Sequence, residues 1–325
     1  MNRLQSEKAL ASRPETTAAA YGCEHFGRLD KVLLRRPGEE LRLINEGNRQ
    51  RWLFDQVPDV QAFIDEHDRY RQLLCSHGVE VLELADHVRH NRDLMRSMPN
   101  LTYMHDIAVI TSHGAILSYM AMDGRRDEHV VVREALGNLG IPILAEFEDP
   151  ADAFEGCLLL SPQTVLVAET ERHSEASIRK FIPKALMAFD EVIYVRIPKA
   201  RRYMHPDTIY NRVDVGLALA YLPAFGATSL HTRGGVREID FAAHMGSKGV
   251  EIVSVSDAEQ RKLACSFVPL EPGVMFHYDT ALAPNTQRTL ARKGVEIIFF
   301  HPEAMVAGGG SLRCLTLRIH RAPRA

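Results

Sequence analysis

Short apolar segments rich in β-branched and aromatic residues alternate with polar segments of helical spacing along almost the whole chain. Gly, Pro or Asp bounds the strand-like segments, and no long Pro- or Ser-rich linker interrupts the alternation. This pattern is typical of a mixed α/β domain. We therefore expect a single domain over residues 21–325, preceded by a loosely ordered segment at residues 1–20.

The apolar periodicity predicts the individual elements. The predicted strands are residues 31–35, 79–84, 107–110, 116–120, 158–160, 165–168, 191–197, 251–255, 274–278, 295–300 and 314–320. The predicted helices are residues 60–77, 125–139, 174–187, 209–221, 258–264 and 284–293. Gly78 is placed to end the first helix. Gly114 and residues 161–163 predict hairpin turns.

Charge and cysteine usage restrict the class of protein. The net charge is -3 and no long basic stripe is present, so we expect no nucleic-acid partner. Five cysteines without CxxC spacing favour a reducing compartment. Residues 1–17 lack a signal-peptide pattern, and no apolar run approaches the ~20 residues of a membrane span. The sequence thus predicts a cytoplasmic protein without a membrane partner, and it is compatible with a homo-oligomer.

Cys314 follows the glycine run at residues 308–310 and precedes an apolar, β-prone segment. A thiol in this position can be held on a loop at the mouth of a cleft, although a buried cysteine is more often an inert apolar residue. A thiol, a histidine and several carboxylates are the groups that nucleophilic catalysis on a cationic carbon requires. The polar residues that accompany Cys314 are Asn100, Asp106, Glu155, His205 and Asp207.

These clusters, in their order along the chain, resemble the arginine deiminase family of guanidine-modifying enzymes. Residues 31–38, 53–55, 65–68 and 78–81 extend the resemblance, which runs with gaps from residue 31 to residue 318. The resemblance implies an α/β propeller of five ββαβ-type units around a pseudo-fivefold axis, with the active site at the central channel. The periodicity of the sequence does not by itself reveal such a repeat.

The resemblance also implies roles for the polar residues. Cys314 is the expected nucleophile, which would form a covalent thiouronium with the guanidino carbon. His205 is the expected general acid and base, because imidazole exchanges protons near neutral pH. Glu155 would orient this ring, and Asp106 with Asp207 would bind the guanidinium through charge-assisted hydrogen bonds. Without the resemblance, an ordinary loop, turn or surface role is the better interpretation of His205 and of Glu155, and Cys314 is more simply an inert core residue.

The remainder of the expected substrate site departs from the family pattern. Arg125 and Arg172 are the residues expected to bind an α-carboxylate, Asn100 to supply a polar contact, and Arg313 to add positive charge near the thiol. Leu158 stands where the family usually has a second carboxylate, and only residues 85–98 replace a helical insertion. These changes favour an alkylated, hydroxylated or α-modified guanidino compound as an alternative to free arginine.

The sequence therefore predicts a hydrolase without a cofactor that converts a guanidino compound to a ureido product and ammonia. Dimethylarginine-type hydrolysis and amidine transfer to an amine remain alternatives on the same scaffold. Metal-dependent ureohydrolysis is a third interpretation, although the chain has no HExxH motif. A non-catalytic guanidino-binding protein is the fourth.

Overall fold

The computed structural model describes residues 21–147, 149 and 152–323, so the segment predicted at residues 1–20 lies outside the described residues. The strands are β1 (Leu29–Leu34), β2 (Glu80–Glu83), β3 (Ala108–Thr111), β4 (Gly114–Leu117), β5 (Ile143–Ala145), β6 (Leu158–Ser161), β7 (Thr164–Glu169), β8 (Glu191–Arg196), β9 (Tyr210–Asp214), β10 (Leu217–Ala220), β11 (Thr228–Thr232), β12 (Gly235–Glu238), β13 (Glu251–Ser254), β14 (Val268–Glu271), β15 (Val274–Tyr278), β16 (Glu296–Phe300) and β17 (Leu317–Arg321). The helices are α1 (Val60–Ser76), α2 (Arg92–Met95), α3 (Glu128–Asn138), α4 (Glu175–Ala188), α5 (Phe241–Ser247), α6 (Asp257–Gln260), α7 (Pro284–Arg292) and α8 (Leu312–Leu315).

These strands form five small sheets, and each sheet contains an antiparallel pair and a parallel pair. In β3-β4-β5, β6-β7-β8, β9-β10-β13 and β14-β15-β16, a hairpin is followed by a parallel strand. In the remaining sheet, β1 pairs antiparallel with β17 and parallel with β2. Strands β11 and β12 extend the β6-β7-β8 sheet beyond β8. A parallel pair needs a crossover connection, and helices α1, α3, α4, α5 and α7 lie within these connections.

Most of the predicted elements are confirmed. Helix α1 begins after Asp59, whose side chain accepts a hydrogen bond from the Ala62 amide, and Gly78 follows the helix with φ 77°. This left-handed conformation is the one in which glycine commonly ends a helix. Both predicted hairpin turns are also present, between β3 and β4 and between β6 and β7.

The helix predicted at residues 209–221 is wrong, because this segment is the β9–β10 hairpin with Gly216 in its turn. Both strands are buried on both faces, even at Asn211 and Arg212 of β9. Polar and apolar residues therefore do not alternate with the period of two that identifies a strand. The last strand begins at Leu317, so Cys314 lies in α8 instead of a strand. The prediction also missed α2, α5 and the short strands β5, β11, β12 and β14. The helix predicted at residues 258–264 is the single turn α6, which ends at Gln260.

Five clusters of buried apolar side chains fill the spaces between the sheets and their helices. Helix α4, for example, packs Ile178 and Phe181 against the β7–β8 pair, and both side chains are fully buried. Among the described residues, no helix combines the length and apolar character that crossing a membrane requires. The buried charged residues lie mainly in the loops and short helical turns that join these elements, and several of them meet in one region.

Candidate active site

Cys314 lies in the short helix α8, directly after the glycine run. Ser311 caps this helix: its hydroxyl accepts a hydrogen bond from the Cys314 amide at 3.4 Å and lies 3.4 Å from Cys314 Sγ. The thiol is half-buried and lines a cleft with about 400 Å³ of unfilled space, part of it open to solvent. We call this cleft the Cys314 cavity. Its other lining residues are Leu53, Asn100, Tyr103, Asp106, Arg125, Arg172, Arg201, Met204 and Gly308 to Gly310.

Tyr103 explains why glycines precede the nucleophile candidate. A Cβ atom at Gly308 would overlap the Tyr103 hydroxyl, and a Cβ atom at Gly310 would lie 2.5 Å from Tyr103 Cε1. The loop that carries Cys314 therefore passes against this ring at a distance that only glycine permits.

Replacing Gly308 by Ala should therefore destabilise the protein and displace the loop that carries Cys314. We expect a loss of about 1–3 kcal/mol in the free energy of unfolding, as for other overpacked sites, measured by urea denaturation. Gly246→Ala is the matched control, because a Cβ atom there meets nothing within 4 Å in helix α5. This control should be neutral or stabilising by up to ~1 kcal/mol. Equal effects of the two substitutions would contradict the packing argument.

His205 is held between two carboxylates. Its Nε2 donates to Glu155 Oε2 at 2.7 Å, and its Nδ1 lies 3.4 Å from Asp106 Oδ1. Burial opposes protonation of the ring, but Asp106, Glu155 and Asp207 together outweigh burial and raise the pKa of His205. The imidazolium form therefore persists to a higher pH than in a free histidine.

Glu155 is itself fixed by several contacts. Its Oε1 accepts from the Ala121 amide at 2.8 Å, and Arg172 Nη1 lies 3.8 Å from its Oε2. Its own amide donates to His173 Nε2 at 2.9 Å. Burial raises the pKa of this carboxyl. The hydrogen bond with His205 and the charges of the nearby arginines lower the pKa by more than burial raises it, so the pKa lies well below the ordinary range. Glu155 is thus an ionised partner that orients His205.

Asp106 connects the histidine to the cleft. Arg125 Nη1 donates to Asp106 Oδ2 at 2.7 Å, whereas Asp106 Oδ1 is buried without a hydrogen-bond partner among the described residues. Arg125 also donates to Glu128 and to the carbonyl of Tyr103, so most of its donors are occupied within the protein. Asp106 Oδ1 is therefore an unused acceptor in a cavity wall, and it could accept a hydrogen bond from a cationic ligand.

Asp207, two residues after His205, is the second carboxylate predicted to bind the guanidinium. Its Oδ2 is 3.2 Å from Arg313 Nε and 3.9 Å from His105 Nε2. A second, smaller cavity is lined by His205, Glu155, Asp207 and Asp106, and we call it the His205 cavity. Asp106 lines both cavities. Asp106 therefore joins the cavity of the predicted nucleophile to that of the predicted acid–base group, whereas His205, Glu155 and Asp207 do not line the Cys314 cavity.

The electrostatic environment of Cys314 disfavours its thiolate when no ligand is present. Burial, together with the negative charges of Asp106 and Asp207, raises the pKa of the thiol to about 12, although hydrogen bonds from Ser311 oppose the rise. The same two carboxylates would attract a cation. A bound cation would offset their charge and lower the pKa of the thiol.

The predicted substrate-binding residues do not all line the same cavity. Asn100, Arg125 and Arg172 line the Cys314 cavity, and Leu158 lines the His205 cavity. Arg313 lines neither of them, because its guanidinium is turned toward Asp207 and the carbonyl of Phe267. The prediction also missed Tyr103, Leu53 and Arg201. Leu53 has φ 60°, and Arg201 donates to its carbonyl at 2.6 Å, which no local sequence pattern indicates.

Residues 85–321 match the family model described as arginine deiminase. The arginine deiminase of Streptococcus agalactiae serotype V is 22% identical over 398 alignment positions, which cover 91% of this chain and 96% of that protein. The Streptococcus pyogenes arginine deiminase is also 22% identical, over 399 positions with the same coverage. Both alignments are longer than the 325 residues of this chain, so part of each relative faces gaps here.

Solved structures show the same fold. The N-terminal domain of ArgZ, a cyanobacterial arginine dihydrolase, superposes with a TM-score of 0.69 at 16% identity and covers 90% of this chain and 97% of that one. AgrE in complex with ornithine and NAD+ gives 0.69 at 18% identity, covering 90% of this chain and 40% of the other. A dimethylarginine dimethylaminohydrolase adduct gives 0.63 at 14% identity, covering 89% and 99%.

Proposed function

The chain belongs to the arginine deiminase family, and on this basis we propose that it hydrolyses a guanidino compound through a covalent intermediate on Cys314. The substrate class that we favour is arginine or a modified arginine. The observation that carries the proposal is the shared carboxylate: Asp106 lines the cavity of Cys314 and lies 3.4 Å from the ring of His205. A planar cation bound there would contact the acid–base group and the nucleophile together.

The first half of the reaction forms the intermediate. Asp106 and Asp207 bind the guanidinium by charge-assisted hydrogen bonds, and the cation lowers the pKa of Cys314 so that the thiol releases its proton to solvent. The thiolate attacks the guanidino carbon and forms a C–S bond. His205 donates its proton to the departing nitrogen as the C–N bond breaks, and ammonia leaves a thiouronium on Cys314.

The second half regenerates the enzyme. His205, now neutral, removes a proton from water while the water oxygen adds to the thiouronium carbon. The C–S bond then breaks, Cys314 leaves as the thiolate, and the carbon becomes the carbonyl of a ureido group. The proton balance closes because the oxygen taken from water releases its second proton to solvent, where the released ammonia accepts it, while His205 is again imidazolium. Glu155 stabilises this imidazolium through its hydrogen bond.

The architecture of the proposed enzyme follows from its five sheets. We propose that the five sheets, each with an antiparallel and a parallel strand pair, surround one axis as a propeller, with the Cys314 and His205 cavities near its centre. The pairing of β17 with β1 supports this arrangement, because it joins the last strand to the first sheet. The unpatterned cysteines support action in a reducing compartment such as the cytoplasm.

Product analysis tests the reaction class. The protein is incubated separately with arginine, with N-methylated arginines and with a guanidino compound that lacks the α-carboxylate. Ammonia with a ureido product supports deimination, whereas an alkylamine with the same ureido product indicates a dimethylarginine-type hydrolase. Transfer of the amidine to an added amine indicates an amidinotransferase. Absence of turnover and of any covalent adduct with all of these compounds would contradict the proposal.

Asp106→Asn should lower the turnover rate and raise the rate at which Cys314 is alkylated. Turnover should fall by roughly 10²-fold or more, because the cation loses a charged acceptor near His205. Alkylation of Cys314 by iodoacetamide at pH 8 should become faster, because removing this negative charge lowers the pKa of the thiol. Asp93→Asn, on a fully exposed side chain, is the matched control and should change neither rate. Slower alkylation in the Asp106 variant would contradict the assigned electrostatics.

A further inference from the structure

A third cavity, which the proposed reaction does not use, is surrounded by basic side chains. These side chains surround about 390 Å³ of unfilled space, part of it open to solvent, and we call this space the arginine cavity. The charged and hydroxyl side chains in its wall are Arg212, Arg313, Arg318, Arg321, Glu24 and Tyr210. His25 also lines it and is exposed, so the cavity is accessible from the surface.

The hydrogen bonds around this cavity leave its positive charge largely unneutralised. Arg321 donates to the carbonyls of Gly27 and Pro269, which satisfy its N–H groups but carry no net charge. Arg212 likewise donates to backbone carbonyls, of Leu160, Asp214 and Val215. Arg313 is the one member of the four that pairs with a carboxylate among the described residues, that of Asp207.

Arg318 is the least compensated member. Its side chain is half-buried and makes no hydrogen bond or ion pair within residues 21–147, 149 and 152–323, and its Nε is buried without a partner there. Glu24 is the one carboxylate in the cavity wall; its Oε1 accepts from the Ser112 amide, and its Oε2 is buried without a partner in the described part of the chain. The hydroxyl of Tyr210, which is fully buried, also has no hydrogen-bond partner in the described part of the chain. The wall thus offers unused donors next to excess positive charge.

Excess buried charge is unfavourable unless an opposite charge accompanies it. The pKa of Arg313 is lowered to about 9 and that of Arg321 to about 9, in each case by burial first and by repulsion from Arg318 second. Both shifts show that the cavity destabilises its own cations when no anion is near. An anion in contact with Arg318 would reverse this effect.

We propose that the arginine cavity binds a small oxyanion of the size of phosphate or sulfate. The planar guanidinium of Arg318 can donate two parallel hydrogen bonds to such an oxyanion, which a spherical halide cannot accept in the same way. Tyr210 supplies a further donor, and Arg313 and Arg321 supply charge. Arg313 also pairs with Asp207, which lines the His205 cavity. An anion bound in the arginine cavity would therefore fix the position of an arginine that contacts a residue of the proposed catalytic site.

Thermal unfolding in inorganic phosphate tests this site. The midpoint of wild-type unfolding should rise by about 2 °C for each tenfold increase in phosphate above its Kd, at ionic strength held constant with sodium chloride. Arg318→Met should lose this rise, and in phosphate-free buffer it should unfold at a higher temperature than wild type because an uncompensated, half-buried charge is removed. Arg292→Met, which removes an exposed arginine of α7, is the matched control and should keep the wild-type response.

Two further measurements test the proposal even if Arg318→Met does not fold. Arg318→Lys retains the charge but not the planar pair of donors, so its apparent Kd for phosphate should rise at least several-fold. Crystals of the wild-type protein soaked in selenate should show an anomalous peak beside Arg318. Equal phosphate responses of wild type and the Arg318 variants would overturn the proposal, as would the absence of selenate from the arginine cavity.

Discussion

Turnover should be lost when Cys314 is replaced by Ser, with kcat falling by roughly 10⁴-fold or more while the fold is retained. A serine hydroxyl has a pKa far above that of a thiol, so binding of the guanidinium would not generate an effective nucleophile. The smaller oxygen atom fits the half-buried position and can still hydrogen-bond with Ser311. Steady-state release of ammonia measures the loss, and thermal unfolding verifies that the fold is intact.

Cys75 supplies the matched control for this experiment. It is an exposed thiol at the C-terminal end of α1, so Cys75→Ser makes the same chemical change away from both cavities. We expect its kcat to remain within about twofold of wild type, as for most surface substitutions. Substantial turnover in Cys314→Ser, or an equal loss in the two variants, would refute the assignment of Cys314 as nucleophile.

Replacing His205 by Ala should slow both halves of the reaction, by about 10²- to 10⁴-fold in kcat. The departing nitrogen loses its proton donor, and the water loses the base that activates it. If the first half remains faster than the second, the thiouronium accumulates and the mass of the peptide that contains Cys314 increases. Mass spectrometry of the intact and digested protein, after incubation with each guanidino compound, measures this adduct.

The pH dependence distinguishes a catalytic from a structural role of His205. Its pKa is raised in the folded protein, so the imidazolium is fully present below its unfolded value near ~6.5 and is lost as the pH rises through the folded value. The wild-type rate should therefore show an alkaline descending limb that His205→Ala lacks. His113→Ala, on an exposed residue of the β3–β4 turn, should keep the limb and the rate. A descending limb unchanged in His205→Ala would exclude this residue as the acid.

The elements with local signals were predictable from sequence. Helix α1 has a capping aspartate at one end and Gly78 at the other, and both are encoded within the segment itself. The β9–β10 hairpin lacks such signals, because its strands are buried on both faces and the pattern of polar residues that would show a period of two is weak. Residues 209–221 therefore needed knowledge of their neighbours in the sheet.

The candidate site shows the same limit. The identity of Cys314, His205 and the carboxylates could be predicted from an ordered set of motifs, but their contacts depend on residues far apart in sequence. The glycine run near Cys314 is required by Tyr103, some two hundred positions earlier. Arg313 was expected near the substrate, yet its ion pair with Asp207 turns its side chain toward a different cavity. Only the tertiary packing determines such pairings.

The pairing of β17 with β1 determines when the site can form during protein synthesis. The first sheet receives its antiparallel partner only when residues 317–321 have left the ribosome, and Cys314 lies immediately before them. Nascent chains generally fold from the N-terminus as they emerge. The carboxylates and His205 are therefore synthesised well before the thiol that completes the site. A nascent chain that ends before residue 314 cannot form adducts with guanidino compounds at Cys314.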